Sequence, residues 1–296
     1  MEIVQVYWCE TGYPGACIDA AMISADGGLL GALVNGKPVL MDQEGQLLSL
    51  SSAFEDGRWT AAALSPDGQR VALASSSKIA LFDLATGERT EHTVDEVHQL
   101  IWEPAGKRLG IGHTKSALSF WNVKEKKLEQ MSLSLRRHRW WRVSFSGNAP
   151  QLFAASSSAY PFSNWLYAIS PAGDMARHEL PKGRYVTGIA PWHDGVVVAL
   201  SDHAGHCELL AFSSELQPVK KVLCQVDVTV LDAPVGQPWL VSGTVDGTVW
   251  LLDAESLMIA STRMLWPAPV RTLAACAEGY VVAGAHDGRL ALVELY

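Results

Sequence analysis

The stretch DHAGHCE, residues 202–208, places His203, His206 and Cys207 within one turn. Imidazole nitrogens and thiolates are zinc ligands, and His113 and His286 occur in related turns elsewhere in the chain. No compact set of three or four ligands stands at a diagnostic spacing, so a solvated polar loop outweighs a metal site, and no metal or cofactor is assigned. A second stretch, RRHRWWR (136–142), sets arginines beside tryptophans. Both residue types give large contact area, and arginine adds directional hydrogen bonds, which is the chemistry of interaction hot spots. Such a patch suits an acidic or phosphorylated peptide, or stacks on single-stranded nucleic acid. The competing reading is packing, because Trp140 aligns with Trp59 at the start of a repeated element. The motifs G-x-S-x-G, P-loop and H-E-x-x-H do not occur, so no catalytic residues are assigned.

The elements that would position these residues are repeats. LVSGTVDGTVWLLD (240–253) aligns without gaps on VAGAHDGRLALVEL beginning 41 residues after Val241, so that Gly243 falls on Gly284 and Asp246-Gly247 on Asp287-Gly288. Asp-Gly between two β-rich runs is a strong hairpin signal. Related phrases end at Asp42, Asp83, Asn122, Ser170, Ser213, Asp253 and Glu294, at separations of 39 to 48 residues. A turn cluster rich in Pro, Gly, Asp and Asn precedes each phrase, from SADGG near residue 24 to CAEGY near 276. Two markers therefore agree on seven units. A period of about 40–45 residues with four short strands per unit predicts an all-β fold, a single seven-bladed β-propeller spanning residues 1–296. The last unit ends one strand short, while EIVQVYW (2–8) belongs to no complete unit; pairing the two closes the ring.

Bulk composition bounds the partners. The chain has 296 residues, 48% of them hydrophobic, with a formal net charge of −8, which makes nucleic acid an unlikely main partner. Five scattered cysteines without a C-x-x-C pair imply neither a disulfide framework nor a zinc knuckle. MEIVQVYWCE does not read as a signal peptide, and no apolar run is long enough to span a bilayer. The expectation is a cytoplasmic protein, away from membranes and monomeric outside any complex.

VSGTVDGTVWLLD, SPDGQRVALASSSKIALFDLATGE and, more loosely, GHTKSALSFWNVKEKK resemble the second half of a WD40 repeat. That resemblance implies a non-enzymatic scaffold that holds peptides or protein surfaces on the rim and top of the ring. The family's Trp-Asp dipeptide is replaced here by Met41-Asp42, Phe82-Asp83, Trp121-Asn122 and Leu252-Asp253, and its Gly-His pairs fall at mid-unit turns. The family's side-chain network is accordingly not expected. The connections between units and the mid-unit turns converge on one face, and they carry Trp8, Trp59, Arg136, Arg137, Arg139, Trp140, Arg184, Tyr185 and Trp266. These are the candidate partner-binding residues, for a protein or peptide partner of acidic character. The alternative is a propeller enzyme, or a small-molecule or metal binder, with its site at the channel mouth. Trp102 and Trp192, near the opposite face, have no role in either reading.

Overall fold

In the computed structural model, the described residues are 2–9, 17–44, 46–48, 58–113, 117–132, 138–146, 151–158, 163–202 and 204–296. Twenty-seven strands form seven antiparallel sheets, and the described residues contain no helix. The innermost strands of blades 1 to 7 are Ile18–Ile23, Ala61–Leu64, Val97–Trp102, His138–Phe145, Tyr185–Trp192, Val228–Asp232 and Val270–Ala275. Blades 2 to 7 have four strands each; blade 1 has three, and a bridge from Met41 to Leu47 begins a fourth. The outermost strand of blade 7 is Ile3–Cys9, which pairs antiparallel with Leu290–Leu295 in a register running from Ile3 opposite Leu295 to Cys9 opposite Leu290. The expected closure is therefore present.

The apolar pattern follows from this architecture. There is no single core; seven buried clusters each fill the seam between two neighbouring blades. Alternate residues of a strand face opposite neighbours. On the third strand of blade 7, Leu290 and Leu292 pack against blade 1, while Ala291, Val293 and Leu295 pack against blade 6. Both faces are buried, so these strands read as continuous apolar runs rather than alternating ones.

The residues that end the repeated phrase have a shared task. The side-chain oxygens of Asp42, Asp83, Asn122, Ser170, Ser213 and Asp253 each accept a backbone N–H from the turn that follows, donated by Gln46, Thr86, Glu125, Asp174, Gln217 and Ser256 respectively. A short side chain with an acceptor satisfies an otherwise orphaned turn amide, which is why Asp, Asn and Ser fill six of the seven positions, Glu294 being the exception. Ser24 with Asp26, and Ser65 with Asp67, repeat one another at the preceding turns: each serine donates to its aspartate and accepts a later amide, from Leu29 or Arg70.

Gly247 of the repeated Asp-Gly has φ +85, and a Cβ there would stand 1.8 Å from the Trp266 carbonyl oxygen, in the connection to the next blade. Gly87 has a similar φ of +74 with nothing within 4 Å of a would-be Cβ. Gly87→Ala therefore carries only the left-handed backbone cost of ~1 kcal/mol. Gly247→Ala adds a clash with fixed backbone and is expected to lose more than ~2 kcal/mol. Urea unfolding of the two variants side by side checks the difference; equal losses would mean that the Trp266 connection yields freely.

Candidate functional site

Six innermost strands share one irregularity. An extra residue interrupts the register near the start of the strands in blades 1, 3, 4, 5, 6 and 7. The extra residues are Asp19, His98, Thr187, Thr229 and Arg271, and in blade 4 the irregularity falls across Trp140 and Trp141; Thr60 stands at the corresponding place in blade 2. A bulge leaves a carbonyl without its ladder partner and re-aims the side chain. Threonine answers both: Thr60, Thr187 and Thr229 donate Oγ1 to Ala74, Ala199 and Gly243 carbonyls at 3.2, 3.4 and 3.0 Å. Thr229 also donates to the Val270 carbonyl of the next blade. At Asp19 and Arg271, on neighbouring blades 1 and 7, a loose ion pair of 3.8 Å occupies the equivalent place.

The residue after the bulge faces the next blade. Gln99 uses its amide there as a peptide group would, accepting the Val143 N–H at 3.0 Å and donating to the Val143 carbonyl at 3.1 Å. Thr272 accepts the Ala21 N–H at 2.8 Å, and two residues further along its strand Asp232 accepts the Ala275 N–H at 2.7 Å. Trp102 and Trp192 do the same from the far end of their strands, donating Nε1 to the Ala63 and Ala254 carbonyls of adjacent blades. These two tryptophans join blades, which supplies the role the sequence left open.

Together the innermost strands enclose an axial cavity of about 590 Å³ to which all seven blades contribute. Its titratable lining comprises Asp19, His98, Arg142, Asp232, Arg271 and the thiol Cys276. Burial, and after it the positive charge of Arg142, holds the His98 imidazole down at about 4, so it is neutral at physiological pH. Burial likewise lowers Arg142, with Arg271 adding to the effect. Asp232 is pushed up to about 6 by burial, against the pull of the Ala275 and Ala233 amides.

The expected partner-binding residues separate on inspection. Trp59 and Trp266 are 1% and 2% exposed, in the seams between blades 1 and 2 and between blades 6 and 7. Trp59 lies edge-on to Phe82, with Lys78 Nζ 5.3 Å from its ring, and Arg289 covers Trp266. They are packing residues and not partner contacts. The register explains the first: Trp59 precedes the bulge position, as do Ile18, Val97, Val228 and Val270, all buried. Trp140 shares that register position on Arg139–Trp140 of the blade 4 strand; the side chains of Trp8, Arg139 and Trp140 fall outside the described residues, as do Arg136 and Arg137 entirely.

Arg184 and Tyr185 are well placed. Asn164, buried, donates to the carbonyls of Pro181 and Arg184 and so fixes the connection from blade 4 to blade 5. The Arg184 guanidinium stands 3.3 Å from Glu208, which also receives Lys221 at 2.7 Å. Tyr185 is 38% exposed beside them. Of the histidine-bearing turns, His203 lies outside the described residues, His206 pairs with Asp202, and Cys207 is buried. His113 is buried with both ring nitrogens engaged, by the Asp95 carbonyl and Ser119 Oγ, each at 2.9 Å. Among the described residues no group of three His, Cys, Asp or Glu side chains is placed to hold a metal ion, and no helix is long and apolar enough to cross a membrane.

The fold and this site define a seven-bladed β-propeller with a polar-headed axial channel. Compared with known proteins, the chain matches no family model and no curated protein.

Asp232 gives the channel a pH signature. Its carboxyl titrates near 6 in the folded protein, against an ordinary 3.8. Between those values the unfolded chain releases a proton that the folded one keeps, so this group's contribution falls as pH rises from about 4 to about 6. Asp232→Asn keeps an oxygen for the Ala275 amide and removes the charge. The variant is expected to be more stable than wild type at pH 8, by at most ~3 kcal/mol and by less to the extent that channel water reaches the carboxyl. At pH 4 the two should melt together. Thermal melts at both pH values decide it; an equal offset at each would show that the charge is not the cause.

Proposed function

We propose that this chain is a non-catalytic, WD40-like scaffold that binds an acidic protein or peptide through the face where the inter-blade connections converge. Propellers commonly serve as interaction scaffolds, a rigid ring presenting loops. The observation that carries the reading here is the connection between blades 4 and 5. Tyr185 is the one exposed aromatic among the candidate residues with described side chains, and Asn164 and the Arg184–Glu208 pair hold its neighbourhood still. A pre-fixed aromatic beside a cation loses little entropy on binding, which is what an anchor requires. The sequence RRHRWWR (136–142) is expected at the same face, and its charge would complement an acidic partner on an otherwise acidic protein.

The cytoplasm is the compartment that fits. Cys17, Cys207, Cys224 and Cys276 are free thiols, as a reducing environment keeps them. Outside its complex the scaffold is a monomer.

The test is affinity purification with quantitative mass spectrometry, using wild type, Tyr185→Ala, the double variant Arg137→Glu/Arg139→Glu, and an opposite-face control, Val235→Ser. A partner should be depleted at least tenfold on the first two variants and retained on the control, and its binding to wild type should weaken with added salt. Identical partners on all four folded baits would move the interface off this face.

A further inference from the structure

The position after the bulge holds either a polar joint to the next blade or a small or apolar filler, with one exception. Gln99 in blade 3 and Thr272 in blade 7 accept an amide of the next blade there, and Ala20, Ala61, Gly188 and Val230 fill it with small or apolar groups in four others. In blade 4 the residue is Arg142. A guanidinium accepts no hydrogen bond, so it cannot join blades in this way. Among the described residues Arg142 makes neither an ion pair nor a hydrogen bond. It lines the axial cavity, and Arg271 lines the same cavity from three blades away around the ring.

Arg271 is half exposed at the mouth of this cavity and its charge bears on Arg142, so the two guanidinium groups repel unless a negative charge joins them. The carboxylates present do not settle the balance. Asp19 reaches Arg271 only at 3.8 Å, and Asp232 accepts the Ala275 amide on the wall of blade 6. Arg142 is left without a carboxylate against it, which calls for a monovalent anion at its guanidinium; Asp19 and Asp232 in the same wall disfavour a phosphate dianion. The remaining wall mixes polar groups, among them Thr60, Gln99 and Thr272, with apolar ones such as Ile101, Ile189 and Leu231, and a cavity of about 590 Å³ has the size of a small-molecule site.

We propose that the axial channel binds a small organic monocarboxylate, its oxygens between Arg142 and Arg271 and its apolar body against Ile101, Ile189 and Leu231. This site is separate from the protein-binding face and stands whether or not that reading holds.

The experiment is isothermal titration calorimetry of the full chain in low-chloride buffer with hexanoate and benzoate, with hexanamide and benzamide as uncharged controls and inorganic phosphate as the dianion. Wild type is expected to bind one or both carboxylates at 1:1 stoichiometry, and phosphate and the amides at least tenfold more weakly. Arg142→Gln and Arg271→Gln should each weaken the carboxylate at least tenfold, and Arg142→Lys should retain it within a few-fold. Arg142→Gln should also raise the melting temperature of ligand-free protein, because it removes an unpaired charge, so folding of the variant is read in the same series. Failure of folded wild type to bind either carboxylate, amides binding as well as acids, or undiminished binding by the folded double Gln variant would overturn the proposal.

Discussion

Everything in this ring rests on each blade having a neighbour on both sides. A sheet whose two faces are both apolar has no solvent face, so no blade is stable in isolation, and the last must meet the first. The pairing of Ile3–Cys9 with Leu290–Leu295 makes that meeting through an antiparallel hydrogen-bonded ladder. It supplies the outermost strand of blade 7 from the other end of the chain and fastens the seam in which Ile18, Leu30 and Met41 of blade 1 bury against Val282, Leu290 and Leu292 of blade 7. Without it the ladder of Leu290–Leu295 would present an open edge, the template for intermolecular pairing.

Towards the axis, apolar packing gives way to polar joints. Gln99, Thr229, Thr272, Asp232, Trp102 and Trp192 each satisfy a backbone group of an adjacent blade. Small side chains line the spaces between, and the result is a cavity rather than a filled core. The bulges set which side chains can look into it, since each diverts one residue from the alternation of its strand. Arg142 matters because, alone at its register position, it is neither a joint nor a small or apolar filler.

Much of the architecture was legible from the amino-acid order. The spacing of turns and Asp-Gly pairs defined seven blades and the closing strand, because hairpin geometry demands specific residues at fixed offsets. The recurring phrase-final Asp, Asn or Ser was visible as a marker, and its role as acceptor for a turn amide explains why it recurs. The tryptophans were less well read. Trp59 and Trp266 qualify as anchors by residue type, with packing the competing reading for Trp59, and its aligned positions Ile18, Val97, Val228 and Val270 form an apolar column that favours packing. Trp102 and Trp192 could not be resolved, since a Trp N–H bonding a carbonyl of a neighbouring blade leaves no trace in spacing. Arg142 was the last residue of the basic stretch but drew no separate notice; only the bulge register shows that it turns to the channel while its neighbours in sequence do not share its position.

The closing pair also imposes an order on birth. Some 280 residues separate Cys9 from Leu290, and at ~5–20 residues per second a ribosome needs roughly 15–60 seconds to make that interval. Throughout it the strand Ile3–Cys9 has no partner, while the other blades can assemble one upon another. A segment made well before its partner is thus among the last to dock. For that span the nascent protein carries an apolar strand without a home, and whatever escorts it, or keeps copies from pairing with each other on crowded polysomes, acts before any mature surface exists.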